Sequence, residues 1–148
     1  MIDSSTLTIR KATNPDELRH AFQIREHVFV QEQQVPREEE YDKYEETATH
    51  LVVYDANNTP CGTARWRQTS KGIKLERFAV LRSHRGMGVG RLLLKTALWD
   101  IEEDPNVSQQ LVYLHAQSAA VDFYKKFGFD QVGEEFEECN IKHYEMIL

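Results

Sequence analysis

Cysteine is scarce in this chain of 148 residues: only Cys61 and Cys139 occur, without the paired spacing of a zinc site, and free thiols in a reducing compartment are the simplest account. Histidine is no better placed for metal. His20, His27, His50, His84, His115 and His143 form no His-x-x-x-His pair and have no cysteine partner at zinc spacing, so no metal is expected. No run of about 18 apolar residues occurs, and the opening MIDSSTLTIR has no apolar h-region, which argues against a membrane span and a secretory leader. Positive charge is also short. A net charge of -6 and a pI near 5.5 argue against general nucleic-acid binding, which needs a basic footprint. Repeats and low-complexity linkers are missing as well, so nothing divides residues 1–148 into more than one domain. What remains is 41% hydrophobic with a mean hydropathy of -0.59: one sizeable core under a well-solvated surface, expected to be soluble and cytoplasmic.

The most informative stretch is Leu75 to Arg91, LERFAVLRSHRGMGVGR. An extended apolar half leads into Gly86, Gly88 and Gly90 at alternate positions, and LLLKTALWDI then reads as a helix. Glycine in or beside a first helical turn costs about 1 kcal/mol relative to alanine, so helix formation alone gives no reason for three of them. A bare helix N-terminus offers unpaired N–H groups and the positive end of the helix dipole, which together bind phosphate or pyrophosphate. Arg82, Arg85 and Arg91 would add charge around it. A Walker loop is excluded because the loop ends in Gly90-Arg91, and the dinucleotide fingerprint fails because Arg91 stands at its sixth position.

In chain order, Leu7 to Ala12 alternates as a strand. Asn14-Pro15-Asp16-Glu17 then opens a helix that is expected to run to about Val30, with Leu18, Ala21, Phe22, Arg25 and Phe29 on one face. Arg25, a base on an apolar stripe, either snorkels or points at a ligand. Pro36 to Glu46, PREEEYDKYEE, holds six carboxylates in eleven residues, either as a solvated surface or as an acidic wall that attracts a cationic substrate. His50 to Asp55, Cys61 to Thr69 and Ile73 to Leu81 form an antiparallel meander. In the last of these, strict alternation sets Ile73, Leu75, Arg77 and Ala79 against Lys74, Glu76, Phe78 and Val80. The helix after the loop carries Val89, Leu92, Leu93, Thr96, Ala97 and Trp99 to Ile101 and stops before Asp104-Pro105. Leu111 to His115 is a short strand, and Ser118 caps a short helix closed by Gly128. Phe129 to Val132 and Ile141 to Leu148 are the final strands, separated by EEFEE.

Arg85-Gly86-Met87-Gly88-Val89-Gly90 resembles the Arg/Gln-x-x-Gly-x-Gly/Ala loop of the GNAT superfamily of acyl-CoA N-acyltransferases, where the loop holds the pyrophosphate of coenzyme A. His115 to Phe129, HAQSAAVDFYKKFGF, resembles a second family segment, in which a polar residue follows the fifth strand and an A-x-x-F-Y-x-x-x-G-F helix lies against the coenzyme. IREHVFVQEQQVPREEEYDKYEETATH is similar to the N-terminal segment of one bacterial branch of small GNAT proteins and to the opening of the acyl-homoserine-lactone synthases. The resemblance implies an α/β fold, a mixed twisted sheet of roughly six or seven strands flanked by about four helices. It implies acetyl-CoA as co-substrate, held by Phe78, Ala79, Val80, the loop from Arg85 to Arg91, Gln117 and Tyr124. Its partners would be acetyl-CoA and a small amine, with no nucleic acid and no membrane, and with a homodimer left open.

Acyl transfer to an amine needs a neutral amine, a polarised carbonyl and a route out for the thiolate. An alkyl amine of pKa about 10.4 is almost wholly protonated at pH 7, so a base has value. Glu76, on the strand feeding the loop, is the expected base, with Glu32, Asp42 and His115 in reserve. Its structural alternative is pairing with Arg77 or Lys74. A free backbone N–H near Phe78 to Val80 would polarise the carbonyl where that strand splays from its neighbour. Tyr124, in the family-like helix, is the expected acid toward the departing thiolate, against the alternative of a half-buried aromatic. Arg25, Glu32 and Asp42 are the candidate acceptor-binding residues. A catalytically silent acyl-CoA-binding module would need neither Tyr124 nor Glu76, and lactone synthesis would need room for a long acyl tail that this short chain scarcely has.

Overall fold

The computed structural model describes residues 6–148. Part of the leader reading therefore falls on residues 1–5, outside the described residues. Seven strands form one sheet in the order β1-β2-β3-β4-β5-β7-β6: β1 Thr8–Lys11, β2 Thr49–Tyr54, β3 Pro60–Gln68, β4 Ile73–Val80, β5 Val112–Gln117, β6 Asp130–Glu138 and β7 Ile141–Ile147. Only β4 and β5 run parallel; every other pairing is antiparallel. Four α-helices, α1 Pro15–Arg25, α2 Arg37–Glu40, α3 Val89–Glu103 and α4 Val121–Lys125, complete the α/β architecture. Among the described residues no helix is long and apolar enough to cross a membrane, and no group of three or more His, Cys, Asp or Glu could hold a metal ion.

Alternation along β2 divides the core. Leu51 and Val53 face α3, where Val89, Leu93, Leu94, Ala97 and Ile101 pack, whereas Val52 and Tyr54 face Ala21, Ile24 and Val28 of the first helical segment. That segment starts as its residues demand: Asn14 Oδ1 accepts the Glu17 amide at 2.8 Å, and the Glu17 carboxylate reaches back to the Thr13 amide at 3.0 Å. It does not stop at Val30. Beyond Arg25 the coil widens into a π-helical stretch, Glu26–Glu32, with the Gln33 amide donating to the Val28 carbonyl at 3.0 Å.

Four expectations are corrected. EEFEE is not a separator: β6 runs through it to Glu138, with a break in register between Val132 and Phe136. Ser118 does not cap a helix; it opens a single 3-10 turn before α4, and its hydroxyl donates to Glu135 at 2.9 Å. Trp99 is 61% exposed, because Ala97 and Ile101 occupy the inward side of α3 and the residue midway between them must face out. The fourth lies in β4. Arg65 pairs with Glu76 and Thr63 with Ala79, so β4 carries an extra residue, and Arg77 takes φ +59. This β-bulge breaks the alternation. Phe78 and Val80 join the α3 side with Leu75, while Ala79 packs on the α1 side. Glu76 therefore does not share a face with Phe78 and Val80.

Candidate active site

Where β4 hands over to α3, the backbone opens. Gly86 and Gly88 take φ +79 and +85, conformations that cost an L side chain about 1–2 kcal/mol, and Gly88 is the N-cap of α3 with no side-chain cap on the first turn. The amides of that turn face outward from a loop flanked by the exposed Arg82, Arg85 and Arg91. Val89 is buried in the core, so only its backbone can serve a ligand. Met87 is half-buried, and the Arg91 guanidinium stands 5.8 Å from the Phe127 ring centre. Gly90 needs no special conformation: a methyl group there would meet Phe123 at an ordinary 3.5 Å. Two devices that the sequence reading missed hold the loop. Gly62 on β3 lets α3 sit close, since a Cβ there would come within 2.3 Å of Val89 Cγ1. His84 is buried, with Nε2 2.9 Å from Asp55 Oδ2 and Nδ1 2.7 Å from Ser83 Oγ.

Glu32, a candidate acceptor-binding residue, lies instead beside the glycine loop. From the end of the π-helical stretch it grips Arg85 through two hydrogen bonds of 2.7 and 2.8 Å, while Arg85 Nε donates to the Val80 carbonyl at 3.0 Å. The Arg85 hydrogen bond holds the Glu32 carboxyl below its ordinary range. An anion arriving at this loop meets an arginine that already carries a carboxylate.

Beyond the loop, β4 and β5 pair only at Ile73–Leu75 with Val112–Leu114. Past that point they part around a cavity of about 590 Å³, whose walls include Phe78 and Glu76 from β4, His115 and Gln117 from β5, and Tyr124 from α4. Tyr124 is 8% exposed, and its ring meets Phe78 and Phe129 edge-on, both at 6.0 Å. Its hydroxyl makes no hydrogen bond among the described residues, and the residue lies on the cavity wall. Burial pushes its pKa up, so the proton stays on the oxygen and is available for donation. Gln117 Nε2 donates to Gln33 Oε1 at 2.9 Å, tying β5 to the residue just after the π-helical stretch.

The acidic segment is divided: Glu38, Glu39 and Glu46 are exposed, whereas Glu40, Asp42 and Glu45 turn inward to arginines. Arg25, 1% exposed, neither snorkels nor points at a ligand: it donates to the carboxylates of Glu40 and Glu45 and to the Glu40 carbonyl. Asp42 is held by Arg65 at 2.6 and 2.9 Å and by Arg77 at 3.3 Å. Burial would raise the Asp42 pKa, but the Arg65 hydrogen bonds, the Tyr44 amide and the charges of Arg65 and Arg77 win and bring it to about 2. Its oxygens are committed to those arginines rather than to an acceptor.

Glu76 belongs to the same network. The bulge turns it toward Arg65, whose Nε and Nη2 lie 3.1 and 2.9 Å from Oε1; Arg67 donates to the same oxygen, and Lys74 Nζ is 3.4 Å from Oε2. Burial pushes this carboxyl up, but Arg65, Lys74 and Arg67 outweigh it and hold it below the ordinary range. Three cations make it a poor proton acceptor. Lys74 is the partner expected from sequence, Arg77 is not, and the buried Arg65 had no sequence signal beyond its place on an alternating strand.

Taken together, the site offers a bare helix N-terminus for an anion, a slot between diverging strands, an aimed phenol, and a mixed-charge chamber on the far side. A sequence profile of the family described as "Acetyltransferase (GNAT) domain" matches residues 10–148. An uncharacterized N-acetyltransferase of Bacillus subtilis (strain 168), YjcF, is 45% identical over 137 residues, which cover 92% of this chain and 95% of that protein. The crystal structure of an acyl-CoA N-acyltransferase from Pseudomonas aeruginosa superposes with a TM-score of 0.82 at 26% identity, covering 95% of this chain and 97% of that one. Escherichia coli ElaA gives 0.81 at 25% identity over 99% of each chain.

Proposed function

The chain belongs to the GNAT superfamily of acetyltransferases, and from that premise we propose that it transfers the acetyl group of acetyl-CoA to a primary amine of a small molecule by direct attack on the thioester. Two features of this chain fit a coenzyme A thioester. The N-terminus of α3 lacks a side-chain cap, and the slot between β4 and β5 is lined by Tyr124, whose hydroxyl has no protein hydrogen-bond partner among the described residues. When bound, the coenzyme supplies an activated acyl group; the chain supplies everything else. Backbone amides of Gly88 to Arg91 and the flanking arginines hold the pyrophosphate. Edge groups of Phe78 to Val80 orient the arm and polarise the acyl oxygen, and Tyr124 gives its proton to the leaving sulfur.

A cationic acceptor is supported by what the ion network leaves over. Glu39 and Glu138 line the cavity without a lysine or arginine partner among the described residues, whereas Glu40 and Glu76 are neutralised by Arg25, Arg65 and Arg67. The observation that carries the reading is the unpartnered Tyr124 hydroxyl at the point where the strands part. Incubating the protein with acetyl-CoA and a panel of primary amines, with thiol release and product mass as readouts, tests it. Amine-dependent thiol release with a matching acetylated product is expected; a protein that binds acetyl-CoA but acetylates no amine would leave only acyl-CoA binding.

A further inference from the structure

With Glu76 tied up by three cations, the amine still needs a group to take its proton. Among the candidates on the cavity wall, His115 stands apart. It projects from β5 on the chamber side of the slot and is half-buried, with Nδ1 3.0 Å from Glu138 Oε1 on β6. The Phe136 ring lies 5.1 Å from the imidazole, edge to face, and restrains its rotation. An ionised carboxylate only accepts hydrogen bonds, so in the neutral ring the proton sits on Nδ1 and Nε2 keeps its lone pair. The His115 hydrogen bond lowers the Glu138 pKa, which keeps that acceptor ionised. Nε2 has no partner among the described residues. The groups around the ring are Tyr113 on the same strand, Lys74 and Glu76 across the slot, Glu138 on β6, and Glu145 and His143 on β7. Lys71 pairs with Glu145, and His143 Nδ1 bonds the Ile141 carbonyl at 2.7 Å, so neither competes for Glu138.

We propose that His115 is the catalytic base that takes the proton from the acceptor ammonium, and that Glu138 is the positioning residue that holds the imidazole in the tautomer able to do so. The assignment rests on the acetyl-transfer reading above. Nε2 accepts one proton from the ammonium, and the freed lone pair forms the C–N bond as the C–S bond breaks. The second N–H proton leaves the nitrogen as the amide forms. Tyr124 protonates the departing sulfur and regains its proton from that released proton through solvent. The net products are one amide, one thiol and one proton.

Histidine-selective 15N NMR of the full-length protein without ligand reads the tautomer directly. The His115 signals, assigned by their loss in His115→Gln, should report Nδ1–H with a bare Nε2, and Glu138→Gln should shift them toward Nε2–H. A wild-type ring protonated on Nε2 overturns the proposal. In kinetics with the best alkyl amine of the panel, His115→Gln should lower kcat/KM by about 10²-fold or more. Hydroxylamine, already neutral at pH 7, needs no base and should be acetylated nearly as fast by the variant as by the wild type. Equal rates for the two proteins with the alkyl amine overturn the base assignment alone. A wild type that acetylates neither nucleophile overturns the acetyltransferase reading and this assignment with it.

Discussion

At the scale of single residues, two side chains separate catalysis from binding. Tyr124 packs its ring against Phe78 and Phe129, yet its hydroxyl has no hydrogen-bond partner among the described residues, so Tyr124→Phe removes none of the contacts they make. We expect an unchanged melting temperature, little change in acetyl-CoA affinity, and a kcat lower by about 10²-fold or more, measured where chemistry limits turnover. Equal turnover would reduce Tyr124 to packing. Glu32 works through Arg85. Replacing its carboxylate with an amide removes a negative charge from beside the proposed phosphate site and releases the guanidinium. Glu32→Gln should tighten acetyl-CoA binding by up to about fivefold in calorimetry at low salt, the scale of an exposed ion pair. Weaker binding would mean that Glu32 instead holds Arg85 ready for the ligand.

At the scale of elements, the placement of α3 decides the geometry of the anion site. Its first turn is pressed against β3 at Gly62, where any side chain would overlap Val89. Gly62→Ala should cost about 1–3 kcal/mol in urea unfolding through overpacking, and it should weaken acetyl-CoA binding because the helix start moves off the sheet. Adding Val89→Ala should recover part of both losses, a coupling expected of residues in contact. If Gly62→Ala binds acetyl-CoA as the wild type does, the loop holds its shape without that close approach. The bulge at Arg77 is the second deciding element. One extra residue in β4 turns Glu76 toward Arg65 and sends Phe78 to the side where Tyr124 sits.

At the scale of the whole molecule, Arg25, Arg65 and Arg77 clamp the acidic segment onto the sheet through Glu40, Asp42, Glu45 and Glu76. The carboxyls of Asp42, Glu45 and Glu76 titrate below their unfolded values, so the stability they contribute is present above about pH 4.5 and lost as pH falls toward the Asp42 value of about 2. Glu40 opposes this. Burial raises its pKa, so protonation favours the folded form and softens the loss. Asp42→Asn should lower the melting temperature at pH 7 and flatten its fall between about pH 4 and 2. A wild-type melting temperature that stays level over that range would contradict an ionised network. The same clamp changes what charge reversal means: lysine at Glu40 or Asp42 would break folding contacts before it altered an acceptor's KM.

Local chemistry determined much of this protein before any tertiary contact. Glycines at alternate positions before an apolar helix mark a turn, where Gly86 and Gly88 take positive φ, Asn14 and Glu17 cap a helix whatever lies around it, and period-two alternation sets β2 between two cores. Those features depend on neighbours a few residues away, so they were legible in the chain. The pairings of Arg25 with Glu40, Glu32 with Arg85, Glu76 with Arg65 and His84 with Asp55 were not, because each spans 11 or more residues and is chosen by packing. A single-residue bulge leaves no mark on composition, yet it reversed the face of Phe78 and turned Glu76 toward Arg65, Arg67 and Lys74. Local pattern thus set the elements and the glycine-lined start of α3, whereas only the folded chain decided which carboxylates stay free, because burial and pairing are properties of the assembled sheet and not of any segment.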